Sequence, residues 1–74
     1  MTGNQIEFFD DIYRKYYKMM YDVALRIVKN PEIAEDVVAD TFLVLITKIN
    51  AVIEHEQPVK WLFRVLKNNA LNER

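Results

Sequence analysis

The apolar positions along the chain recur at three- and four-residue steps, the period of an amphipathic helix. The first stripe predicts a helix over about residues 5–29. Proline disfavours helical geometry in the residue before it, so Asn30-Pro31 ends this helix, and the same pair can begin the next one. The expected inward residues of the first helix are Ile6, Phe9, Ile12, Tyr13, Tyr16, Met20, Val23, Ala24 and Ile27.

A second stripe predicts a helix over about residues 31–49. Its Val, Thr and Ile residues are poor helix formers, so a strand over 42–46 competes, but the cap and the apolar period favour the helix. Its inward residues are Ile33, Ala34, Val37, Val38, Thr41, Phe42, Leu45 and Ile49. Residues 50–57 are expected to connect it to a third helix over about 58–72, which begins at Pro58. That helix places Val59, Leu62, Val65, Leu66, Asn69 and Ala70 on one side.

Composition agrees with an all-α fold. The chain has 74 residues, enough for a single domain over 1–74, and only one Gly and two Pro to supply turns. The absence of Cys excludes disulfides and a thiolate zinc site. There is no basic, apolar leader and no run near the length of a membrane span, so we expect a cytoplasmic protein that does not contact membranes.

Charge is unevenly distributed along the chain. Residues 1–30 carry five basic and four acidic groups, and residues 31–57 carry one basic and six acidic groups. Residues 58–74 carry four basic groups and one acidic group. An acidic middle beside a basic C-terminal end predicts two faces with different partners.

Catalytic and cofactor chemistry is not expected. The chain has no Ser or Cys nucleophile, and its one glycine, Gly3, cannot form a glycine-rich phosphate loop. Glu35 and Asp36 are adjacent on a helix and diverge, so they cannot act together on one small substrate. His55 lies between Glu54 and Glu56, where a solvated loop is favoured over a metal site. We therefore expect no enzyme activity, no cofactor and no bound metal.

The third helix is the best candidate for nucleic-acid binding. Lys60, Arg64 and Lys67 recur at steps of four and three, which makes one basic stripe, and Trp61 and Asn68 lie seven residues apart beside it. Cations supply affinity for phosphates, and an amide can contact a base edge. The pattern alone favours the simpler alternative, a solvated face with the tryptophan anchored in the core.

Tyrosines and lysines alternate on the first helix. Aromatic rings beside cations can stack on unpaired bases, but a small domain also needs large residues at the edge of its core, and this second interpretation is favoured. The residues concerned are Tyr13, Tyr16, Tyr17, Tyr21, Lys15 and Lys18.

Three short motifs follow one another along the chain, one in each predicted helix. Phe9 to Tyr17 reads Phe-Asp-Asp-Ile-Tyr-Arg-Lys-Tyr-Tyr, Ala34 to Phe42 reads Ala-Glu-Asp-Val-Val-Ala-Asp-Thr-Phe, and Trp61 to Asn68 reads Trp-Leu-Phe-Arg-Val-Leu-Lys-Asn. From Phe9 to Arg74 the chain resembles region 2 of the bacterial sigma-70 family, most closely the extracytoplasmic-function (ECF) sigma factors. The resemblance implies a compact three-helix domain of a transcription initiation factor.

The resemblance also implies two binding surfaces. In the family, the Ala-Glu-Asp helix docks on the clamp helices of the RNA polymerase β′ subunit. By position, that surface comprises Glu35, Asp36, Ala39, Asp40, Leu43 and Ile46. The Trp-Leu helix and the loop before it recognise the promoter −10 element and hold a flipped-out base. By position, the DNA-binding residues are Lys60, Trp61, Arg64, Lys67 and Asn68.

The chain departs from the family pattern in ways that keep alternatives open. Ala39 replaces the usual glutamine, which is a polar contact with polymerase in the family. The loop before the third helix carries Glu54 and Glu56, whose negative charges would repel phosphates. The helix-turn-helix domain of region 4, which binds the −35 element, is absent from this chain. The alternative function is a sigma-like regulatory module that binds polymerase or an anti-sigma factor without opening DNA. A generic dimerising helical bundle is the third interpretation.

Overall fold

The computed structural model describes residues 1–73, and three long helices account for most of them. Helix α1 spans Gly3–Val28, α2 spans Pro31–Thr47 and α4 spans Pro58–Glu73, with a short α3 over Ile49–Val52. The all-α prediction is confirmed. Residues 42–46 lie inside α2, so the competing strand interpretation is wrong.

Side chains at the helix ends explain why the long helices begin and end where they do. Thr2 and Gln5 form a capping box at the start of α1. The Asn30 side chain accepts hydrogen bonds from the backbone N–H groups of Glu32 and Ile33, at 3.0 and 3.2 Å, and so caps α2. Lys29 ends α1 in the left-handed conformation, with φ 57°, and its N–H bonds to the Leu25 carbonyl.

Replacing Lys29 by glycine should therefore stabilise the domain. Glycine adopts a positive φ without steric cost, so we expect a gain of about 0.5–1 kcal/mol in the free energy of unfolding. Thermal unfolding should show it, since about 1 kcal/mol raises Tm by roughly 4–8 °C in a domain of this size. As a control, Lys18→Gly in the exposed middle of α1 should lower Tm. A lower Tm for Lys29→Gly would contradict the strain assigned to residue 29.

The core lies between α1, α2 and α4, each of which packs against the other two. Fully enclosed side chains include Met20 of α1, Leu45 of α2, and Leu62 and Leu66 of α4. Thr41 is buried among them; its hydroxyl donates to the Val37 carbonyl at 2.7 Å and accepts from the Asn69 amide at 3.2 Å. The Thr41 hydroxyl therefore has hydrogen-bond partners, and the hydrogen bond from the Asn69 side chain joins α4 to α2.

Two expectations about the elements need correction. Helix α2 ends at Thr47 rather than 49, and part of the expected connection forms α3, which turns Ile49 and Val52 into the core. Ile6 was expected to face inward but is 52% exposed. The first turn of α1 meets α3 through Gln5, whose amide donates to the Asn50 side-chain oxygen, while the neighbouring Ile6 stays in solvent.

None of the helices found in residues 1–73 combines the length and the apolar character needed to cross a membrane.

Candidate functional site

A groove between α1 and α2 collects most of the residues predicted to bind polymerase. It has a volume of about 550 Å³. We call it the acidic groove; it is lined by Tyr13, Tyr17, Glu35, Asp36, Ala39, Phe42, Leu43 and Ile46. Of the six residues predicted from the sequence, only Asp40 does not line it, although Asp40 is exposed on the same helix.

An aromatic cluster forms one side of the acidic groove. The Phe42 ring of α2 lies 5.0 Å from Tyr13, 5.6 Å from Phe9 and 6.5 Å from Tyr17, measured between ring centroids. Tyr13 and Tyr17 are themselves 5.2 Å apart. Aromatic pairs at these distances contribute stability in addition to that from the area they bury. The four rings therefore form a rigid side of the groove, which we call the aromatic wall. Tyr13 and Tyr17 therefore belong to the site, which the sequence did not indicate.

The tyrosines of α1 have two different environments. Tyr16, Tyr17 and Tyr21 are partly buried and pack against the core, as the core-edge interpretation predicted. Tyr16 meets Phe63 of α4 edge to face at 6.3 Å. Tyr13 was expected to face inward, and this expectation is wrong, because 43% of it is exposed at the rim of the acidic groove.

Negative charge in the acidic groove is not compensated by the chain itself. Across residues 1–73 one ion pair forms, between Arg14 and Asp10 of α1 at 3.0 Å, and it lies outside the groove. Partial burial raises the pKa of Tyr17 above its ordinary 10.0, and Tyr13, Glu35 and Tyr21 raise it further. The phenol therefore stays protonated at neutral pH and offers a hydrogen-bond donor beside the carboxylates.

A second surface lies on α4 alone. We call it the basic face; its cavity, of about 430 Å³, is lined by Lys60, Phe63, Arg64, Lys67, Asn68 and Leu71. It contains four of the five residues predicted to bind DNA. Leu62, Leu66 and Ala70 hold the opposite side of α4 in the core, so the cations point outward. The helical period of this segment thus separates core residues from exposed cations, as the sequence predicted.

Trp61, the fifth predicted residue, lies beside the basic face and is partly buried against the core. It lines two smaller cavities together with His55. One, of about 170 Å³, adds Gln57, Lys60 and Arg64. The other, of about 240 Å³, adds Lys48, Ala51 and Val52. Trp61 therefore both anchors α4 and borders a cavity next to two cations.

The side chain of His55 makes a hydrogen bond within the loop that precedes α4. The imidazole Nδ1 of His55 accepts a hydrogen bond from the Gln57 backbone N–H at 2.9 Å. His55, Glu54 and Glu56 are exposed, as expected for a solvated loop. In the part of the chain described, no group of three or more His, Asp or Glu side chains is arranged to hold a metal. No pattern in the sequence indicates that His55 and Trp61 would line the same cavities, because their proximity depends on the fold of the loop.

An acidic groove on one side of an all-helical domain and a basic face on another are typical of a domain that binds macromolecules. The family model for Sigma-70 region 2 matches residues 12–74. The match covers most of the chain, so the chain belongs to this family. The family consists of transcription-factor domains rather than enzymes, with roles in RNA polymerase binding and promoter melting. No curated protein and no solved structure matches the chain.

Proposed function

We propose that this chain is a cytoplasmic, ECF-type initiation domain that docks on the β′ clamp helices of RNA polymerase and contacts promoter −10 DNA. The observation that carries the proposal is the separation of the acidic groove, on α1 and α2, from the basic face, on α4. Because no residue is shared between them, polymerase and DNA can be bound at the same time.

The docking half of the proposal rests on the composition of the acidic groove. Glu35 and Asp36 lie beside exposed Leu43 and Ile46, at 59% and 40% exposure. A helix that carries apolar and basic side chains would cover the leucine and isoleucine and neutralise the carboxylates. Ala39 leaves the middle of the groove without a long side chain, so a partner side chain can reach the aromatic wall.

The DNA half rests on the basic face and on the cavity next to it. Lys60, Arg64 and Lys67 follow one side of α4 over eight residues and can contact successive phosphates. The cavity bounded by Trp61, Lys60 and Arg64 offers an aromatic ring and two cations. Such a combination suits an unstacked base and its backbone, so this cavity is the proposed position of a flipped-out base.

A second candidate function is favoured by one observation. Glu54 and Glu56 are exposed on either side of His55, which borders the proposed base cavity. Their charges repel phosphates, so a sigma-like regulator that binds polymerase or an anti-sigma factor without opening DNA is the alternative. A promoter-opening assay with polymerase core separates the two, since only an initiation domain yields unpaired −10 DNA.

Reversing the charge of Asp36 tests the docking surface. Asp36→Lys should weaken binding to the polymerase core by at least about tenfold, because like charges then meet across the interface. Affinity can be measured by fluorescence anisotropy of the labelled chain titrated with core enzyme. The matched control is Asp22→Lys, an exposed position nine residues after Tyr13 and so on the opposite side of α1. Equal affinity of the Asp36 variant and the parent chain would remove the docking assignment.

A further inference from the structure

We propose that the chain also associates with itself, head to tail, with the basic face of one copy bound in the acidic groove of another. This association goes beyond the proposed function. It covers both proposed binding surfaces, so it would compete with their other partners.

The first evidence is the matching order of side chains along the two helices. From its N-terminal end, α2 presents carboxylates and then the apolar Leu43 and Ile46. From its N-terminal end, α4 presents cations and then the apolar Leu71. Two helices laid parallel across copies would therefore bring opposite charges together at one end and apolar side chains together at the other.

The spacing of these side chains supports one register. Asp36 and Asp40 are four residues apart, as are Lys60 and Arg64, which is about 6 Å along a helix. If Asp36 lies opposite Lys60, Asp40 lies opposite Arg64. In this register Leu71 falls opposite Thr47, next to Ile46, and Lys67 falls opposite Leu43. Two of the three cations therefore face carboxylates, and the exposed Leu71 lies at the apolar end of the groove.

The second evidence is that these charges have no internal partner. Over residues 1–73 the single ion pair is Arg14–Asp10, so neither the acidic groove nor the basic face is neutralised from within. The groove is lined by α1 and α2, and the basic face by α4, which places them on different sides of the helix bundle. One copy cannot bring its own two surfaces together, but two copies can.

The third evidence concerns exposed apolar area and net charge. Leu43, Ile46 and Leu71 are exposed by 59%, 40% and 52%, and binding of α4 in the groove would remove them from water. The formal net charge is −1, so long-range repulsion does not keep copies apart. The two oppositely charged surfaces therefore determine the orientation in which two copies of the chain meet.

The interface joins two different surfaces, so it is heterologous and does not close. Each copy in a pair keeps one free surface, and short oligomers should grow with concentration. Salt should weaken the association, because its charges remain close to solvent.

Sedimentation velocity of the 74-residue chain tests the inference. At low salt the average mass should rise with protein concentration, and at about 0.5 M salt it should return to that of the monomer. Asp36→Lys and Lys60→Glu should each be monomeric at low salt, with unchanged helical circular dichroism because both positions are exposed. An equal mixture of the two variants should associate again, since one keeps the native basic face and the other keeps the native acidic groove.

Three outcomes would overturn the inference: a monomer at every concentration, association that neither variant changes, or a variant mixture that stays monomeric. The result is independent of the proposed function. If the parent chain stays monomeric while Asp36→Lys loses polymerase binding, docking stands and self-association fails. If the chain associates but the Asp36 variant binds polymerase normally, self-association stands and the docking assignment fails.

Discussion

Replacing Leu66 by alanine should cost the domain about 2–5 kcal/mol, the range observed when a buried leucine loses its side chain. Leu66 has no exposed surface and lies on the side of α4 that packs against α1 and α2. A domain of 74 residues is expected to have a free energy of unfolding of roughly 4–11 kcal/mol. The substitution therefore removes a large part of the total stability, and it leaves the domain substantially unfolded if the parent chain lies at the low end of this range.

Urea denaturation followed by circular dichroism measures this loss as a lower midpoint at unchanged slope. The matched control is Leu71→Ala, on the same helix but 52% exposed, which should change stability by no more than about 0.5 kcal/mol. If Leu66→Ala and Leu71→Ala unfold at the same urea concentration, α4 is not docked through Leu66.

The second large effect is expected on DNA binding. Arg64→Ala combined with Lys67→Ala removes two of the three cations of the basic face. Each phosphate contact with a single strand contributes a slope of about −0.7 to the dependence of log K on log salt, so the slope should fall by about 1.4 units in magnitude. At 0.1 M salt the same relation predicts a loss of about 25-fold in affinity for single-stranded −10 DNA.

Anisotropy titrations of a labelled −10 oligonucleotide at several salt concentrations give both quantities. Lys15→Ala combined with Lys18→Ala is the matched control, since it removes the same charge from exposed positions on α1. It also tests the stacking interpretation of the α1 tyrosines, because DNA that followed α1 would respond to this pair instead. An unchanged slope for the Arg64 and Lys67 variant would exclude the basic face as the DNA surface.

The long helices were predictable because their signals are local. Asn30-Pro31 marks both the end of α1 and the start of α2, and Pro58 marks the start of α4. Helix α3 was not predicted, since four residues are too few to show an apolar period and no side chain caps them. The exposure of Ile6 was missed because its place in the stripe does not reveal which of the first-turn side chains α3 covers, and α3 itself was not predicted.

The same limit applies to the site. Helical spacing placed Lys60, Arg64 and Lys67 on one face, because that relation lies within a single helix. The addition of Tyr13 and Tyr17 to the acidic groove depends on how α1 packs against α2, which the spacing within either helix does not determine. Surfaces made by one helix were therefore predictable, and surfaces made by two helices were predictable only in part.

The hydrogen bond between Asn69 and Thr41 has a mechanical consequence. It joins α4 to α2 at one position in an otherwise apolar contact, and a shift of α4 by one turn, about 5.4 Å, would break it. Together with the packing of Leu45, Leu62 and Leu66, this bond favours one register of the two helices. If α4 binds DNA and α2 binds polymerase as proposed, this register sets the distance and angle between the two partners.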